Sequence, residues 1–174
     1  MNLPYIKTLW EEMRLVNGIT LRAIEAVPAD KIDTRPIRDM RTPKELVTHM
    51  AETMRHCAVG ATKGKIEAYE EREKATCEGI KTREDLIRVM ASAWNEANAA
   101  VRSLTDEQAV AAVETPWNFA PPGWLCIQII FDEHVHHRGQ LYAYLRALGI
   151  EPPFMWDFEN NAPEYKPKPN FQPA

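Results

Sequence analysis

The chain has 174 residues, 45% of them apolar and 26% charged, with a formal net charge of −4. This suits one domain with a real core, and the acidic balance argues against a nucleic-acid binder. The longest apolar run, Trp124 to Phe131, is too short to span a bilayer, and Glu11 and Glu12 come before any signal-peptide core could form. Three scattered cysteines, Cys57, Cys77 and Cys126, make neither a disulfide framework nor a zinc ribbon, so a cytoplasmic, reducing compartment is expected.

No long stretch alternates strictly between apolar and polar residues, whereas helical spacing recurs, so the predicted class is all-α. The first helix is predicted from about Pro4 to Val27, with Ile6, Leu9, Trp10, Met13, Val16, Thr20 and Ile24 on one stripe. The second opens at Thr42, with Pro43 at its first position and Glu45 completing a capping box. Its stripe is Leu46, His49, Met50, Thr53, Met54, Cys57 and Ala61, so a histidine stands among apolar positions. The mixed-charge stretch from Lys63 to Lys81 reads as a solvated helix end and loop.

Another helix opens at Thr82, where Asp85 completes a second box, and carries Leu86, Met90, Ala93, Ala97, Val101 and Leu104. Thr105 with Gln108 introduces a short helix to about Val113. Pro116, Pro121 and Pro122 interrupt the chain before the last helix, which runs from Pro122 or Gly123 to Leu148 with Gly149 as its cap. Four main amphipathic helices in residues 1–150 predict a four-helix bundle. Residues 151–174 form a tail rich in Pro and aromatics, of which Phe154 to Phe158 is expected to dock.

Three of the five histidines fall in FDEHVHHRGQ on the last helix. One stripe there reads Cys126, Ile130, Glu133, His137, Leu141, Tyr144, Leu148, a core face but for two ionisable groups that need partners. Four residues apart, they differ by about 40° around the axis and one turn in height, so both can converge on one point as two metal ligands. His49 is the inward-facing candidate for a third. Such a set suits zinc, nickel, iron or manganese and leaves a position open for water or substrate.

Other readings of these residues stand beside it. His49 alone could be a hydrogen-bonded core histidine, and Glu133 with His137 a buried acid–histidine pair. His134 could replace Glu133, but its stripe contains Arg138, which predicts a bundle-edge position and favours Glu133. His136 lies with Asp132 and Gln140 on a more polar face. The three cysteines read as inert thiols in or near helical faces.

The segment HVHHRGQLYAYLRALGIEPP, with LVTHMAETMRH upstream, resembles the DinB family of damage-inducible, YfiT-like four-helix proteins. The resemblance implies a divalent metal, commonly zinc or nickel, held by one histidine from the second helix and two, four residues apart, from the last. His49 and His137 match that pattern, while the remaining position is Glu133. That departure is similar to the His, Glu, His triad of the mycothiol-dependent maleylpyruvate isomerases, and the carboxylate makes manganese more plausible beside nickel. The family also includes bacillithiol S-transferases. The resemblance therefore implies a metal-dependent enzyme in which a low-molecular-weight thiol attacks a small electrophile, with His134, His136, Arg138 and Gln140 as candidates for supporting or substrate contacts. It further implies a homodimer, and the acidic balance separately predicts no nucleic-acid partner. Metal-assisted hydrolysis and a non-catalytic dimeric metal-binding or stress protein are the competing functions.

Overall fold

The computed structural model describes residues 3–169, which are helical with no strand among them. Helix α1 spans Leu3–Glu25, α2 Pro43–Lys63, α3 Glu70–Gly79, α4 Arg83–Ser103, α5 Asp106–Val110 and α6 Gly123–Ala147. Helices α1, α2, α4 and α6 close a ring in which α2 and α1 each lie between α4 and α6. Between them sits one core that includes Met13, Ile24, Leu46, Met54, Leu86, Met90, Ile127 and Tyr144. No described helix is long and apolar enough to cross a membrane.

The helix starts follow local chemistry. The Thr42 hydroxyl accepts from the Glu45 amide at 3.1 Å, and the Glu45 carboxylate accepts from the Thr42 amide at 2.8 Å. Thr82 with Asp85 and Thr105 with Gln108 make the same reciprocal pair, so six otherwise orphaned amides are satisfied at three helix starts. At the end of α6, Gly149 adopts φ 77°, and the Ile150 amide reaches back to the Leu145 carbonyl at 2.8 Å.

Two segments differ from expectation. The stretch expected to be a solvated helix end and loop contains α3, whose first turn carries Glu70, Glu71 and Glu73 against the positive helix end. α3 has no fully buried residue; polar ties to α2 hold it. The short helix α5 also stops at Val110, earlier than predicted.

The tail docks further along than Phe154 to Phe158. Phe154, Met155 and Trp156 are exposed, while residues 157–168 run along α1. Arg22 pairs with Asp157 at 2.8 Å, Arg14 donates to the carbonyls of Glu164 and Lys166, and Asn161 donates to the Leu15 carbonyl at 3.0 Å. Gly18 makes room for this strap, since a Cβ there would meet Asn161 and Tyr165 at 2.5 Å. Tyr165 turns its edge to Trp94, which stacks on Trp10 at 5.0 Å. Residues 170–174 of the tail lie outside the described residues.

Candidate metal centre

Helix α6 presents Glu133 and His137 one turn apart, and α2 brings His49 across from them. His137 Nε2 lies 3.0 Å and His49 Nε2 3.8 Å from the same Glu133 oxygen. The two imidazoles stand edge to face, 86° apart. One ligand atom from each residue lies within 4.8 Å of the other two. Donors at about 2.1 Å around a tetrahedral ion are roughly 3.4 Å apart, so this cluster needs only small closure. His137 is buried and Glu133 is 43% exposed, which leaves one side of the cluster open.

The remaining ring nitrogens are also engaged. His49 Nδ1 faces the Glu73 carboxylate at 3.2 Å, and His137 Nδ1 donates to the Gln140 side-chain oxygen at 2.9 Å. His137 thus has an acceptor at both nitrogens, although a neutral ring carries only one proton, while His49 has one at Nδ1 and points its Nε2 toward Glu133 beyond hydrogen-bond reach. Burial, ahead of the other influences, lowers the His137 pKa and favours that neutral ring. A cation between the two Nε2 atoms and Glu133 resolves the mismatch, so the residues present fit a divalent metal.

The other histidines fall elsewhere. His134 is not at a bundle edge: it is 2% exposed and Arg138 is 6% exposed. The aliphatic stem of Arg138 is covered, and its guanidinium lies over the Tyr142 ring, which is why its charge did not mark a solvent face. The Thr20 hydroxyl donates to the Val16 carbonyl, so it accepts the His134 Nε2 proton at 2.8 Å. His134 therefore serves the α1–α6 contact rather than the cluster. His136 is exposed and accepts from the Gln140 amide at 3.1 Å, and its ring stands edge to face against His137 at 4.9 Å, so it borders the centre without joining the cluster.

Burial, with the Arg138 and His137 charges adding to it, pushes His134 down to about 3. Its folded pKa is depressed, so the unfolded chain takes up the proton first as pH falls. This residue contributes full stability above its ordinary value of 6.5 and loses it toward about pH 3. Urea denaturation of metal-free protein at pH 7, 6 and 5 is expected to show a fall approaching ~1.4 kcal/mol per pH unit from this group. The His134→Asn variant should lack that component, and an unchanged slope would refute the assignment.

Sequence reasoning missed Glu73 and Tyr69, because both belong to the stretch read as loop. Tyr69 stacks on His56 at 4.5 Å, and its hydroxyl lies 3.3 Å from Thr53. Burial pushes its phenol up to about 12. The acid-rich start of α3 was the available signal. Beside His49 opens a cleft of about 520 Å³, walled by Tyr69, Glu70, Lys74 and Cys77, with Arg41 and Trp117 also lining it. Cys57 and Cys126 are buried and pushed up to about 12 and 11, chiefly by burial, so neither is a ready thiolate.

An all-helical bundle carrying a His/Glu cluster of metal-binding geometry is the class that fold and site define. The DinB family profile matches residues 2–167, and the chain belongs to that family. It is 24% identical over 141 residues to the uncharacterized protein YjoA of Bacillus subtilis (strain 168), covering 79% of this chain and 87% of that one. The crystal structure of the DinB-like protein YjoA from Bacillus subtilis shares the fold, with a TM-score of 0.67 and 21% identity over 86% of this chain and 96% of that one.

Proposed function

We propose that this protein is a divalent-metal enzyme whose centre is His49, Glu133 and His137, and that it transfers a low-molecular-weight thiol to a small electrophile. The observation that carries the reading is the cluster itself: three donors from two helices, with Glu133 partly exposed and His49 also lining a cleft large enough for a small molecule. When bound, a zinc or nickel ion would supply Lewis acidity, lowering the pKa of a thiol placed in the open position.

The chain's own residues then have defined tasks. His49 and His137 direct their Nε2 atoms inward, and Glu133 supplies the anionic oxygen between them. Arg41 and Lys74 offer cationic ends to an anionic group on the substrate, and Trp117 offers an aromatic face. The Tyr69 hydroxyl stays protonated at neutral pH and can donate to a departing group. The thiol proton passes to solvent at the open side, a sulfur–carbon bond forms, and the electrophile's leaving group departs with its electron pair.

The test is product formation from a halogenated aromatic and a cysteine-based thiol, using zinc- or nickel-loaded protein. Thiol adduct should form above the uncatalysed rate, and a chelator or His137→Ala should abolish the excess. Conversion that needs no thiol would overturn the transfer reading in favour of hydrolysis. Stoichiometric metal with no conversion across epoxides, quinones and halogenated compounds would leave a binding protein.

A further inference from the structure

The polar contact that joins α3 to the histidine of α2 has a consequence beyond holding a helix in place. An imidazole that donates its Nδ1 proton keeps its lone pair on Nε2. His137 gets that arrangement from Gln140, three residues away on its own helix. His49 gets it from Glu73, which lies on a different element 24 residues further along the chain. With the proton on Nε2 instead, the Nδ1 lone pair would face the Glu73 carboxylate.

We propose that Glu73 is a positioning residue that fixes His49 with its Nε2 free for metal, and that metal loading in turn tightens α3 and the cleft wall it forms. The first half rests on the metal reading above. The second follows from how α3 is held. It has no fully buried side chain. Its ties to α2 include Glu73 to His49, Thr76 to the Glu52 carboxylate at 2.9 Å, and Arg72 to the same carboxylate at 3.3 Å. Tyr69, immediately before α3, stacks on His56.

A cation at Nε2 makes the Nδ1 proton a stronger donor, so the contact to Glu73 strengthens when metal binds. By linkage, a better seated Glu73 raises metal affinity by the same factor. Glu70, Lys74 and Cys77, which line the cleft, are on the same short helix and move with it. The metal and the substrate wall are thereby coupled through one carboxylate.

The experiment measures zinc affinity by competition with a chromophoric chelator on the full chain. Glu73→Ala should bind zinc about 10- to 100-fold more weakly than wild type. Glu73→Gln should recover most of that loss, because its carbonyl still accepts the Nδ1 proton. Glu71→Ala, an exposed position on the same helix, should bind as wild type does. Nitrogen-15 spectra of the zinc-loaded imidazoles should report Nε2 coordination at His49 in wild type and a loss of that single state in Glu73→Ala. Hydrogen exchange over residues 70–79 should slow on adding zinc to wild type and not in Glu73→Ala.

Far-ultraviolet circular dichroism establishes that each variant is folded. Stoichiometric zinc in wild type with unchanged affinity in Glu73→Ala would overturn this inference and leave the proposed function standing. Equal losses in the Gln and Ala variants would overturn the role in fixing the tautomer. Zinc-independent exchange of α3 in wild type would overturn the coupling. No stoichiometric zinc in wild type would overturn both this inference and the metal reading beneath it.

Discussion

Glu133→Ala and His49→Ala are expected to lose stoichiometric metal while keeping the fold, and His134→Ala to keep the metal while losing stability. Glu133 is 43% exposed and His49 is partly exposed, so neither truncation opens a large void in the core. Both remove one of the three proposed ligands. His134 is fully enclosed between α1 and α6, and its removal leaves a cavity and strips Thr20 of its donor, a loss of about 2–4 kcal/mol.

Two measurements separate these effects. Elemental mass spectrometry on untagged protein should find about one zinc or nickel per chain in wild type and His134→Ala, and none in the other two. Zinc at about 100 times its dissociation constant should stabilise wild type by about 2.7 kcal/mol. For a chain of this size that is a rise of roughly 5–10 °C in Tm, absent in Glu133→Ala. Metal retained by Glu133→Ala but lost from His134→Ala would transfer the ligand role to His134.

The second large effect belongs to Glu52, whose side chain is fully buried on α2. Arg55 and Thr76 donate to one of its oxygens, and His56 and Arg72 approach the other at 3.3 Å. Burial by itself would raise the Glu52 carboxyl, but the close approach of His56, the Arg55 hydrogen bond and charge, and the Thr76 hydrogen bond outweigh it and hold it at about 2. Glu52→Ala leaves Arg55 enclosed without its main partner and cuts two ties to α3. The expected loss is about 3–5 kcal/mol, or roughly 6–20 °C in Tm. Glu96→Ala removes only the half-exposed partner of Arg55 and should lose no more than about 1 kcal/mol.

The pH dependence follows with a definite sign. The folded pKa of Glu52 lies below its ordinary value of 4.5, so its contribution is full above pH 4.5 and disappears as pH falls toward about 2. That shift corresponds to about 3 kcal/mol, in line with the truncation. Denaturation of Glu52→Ala between pH 5 and 2 should give a flatter stability profile than wild type. A parallel profile would mean that the carboxylate is not held by these partners. Because the same truncation loosens α3, it should also weaken metal binding through Glu73.

Much of the architecture was legible because its causes are local. Thr42 with Glu45, Thr82 with Asp85 and Thr105 with Gln108 act within one helical turn, and the stripes of α1, α2 and α4 repeat at helical spacing. Helix α3 was not legible, because it has no apolar stripe and its reasons for folding are Glu52 and His49, on another helix. The tail was misjudged for a related reason. Aromatic content pointed to Phe154 and Trp156, whereas Arg14, Arg22 and Gly18 on α1 provide the docking surface.

For the candidate site, the sequence by itself determined that Glu133 and His137 share one face of α6, because their spacing matches the helical repeat. It also placed His49 on the inward stripe of α2. Only the tertiary structure decided that His49 reaches the same point, that His134 turns to Thr20 instead, and that Glu73 stands behind His49. Helical periodicity says which side of a helix a residue occupies. Which partner waits on that side depends on how separate helices pack, and no local spacing carries that information.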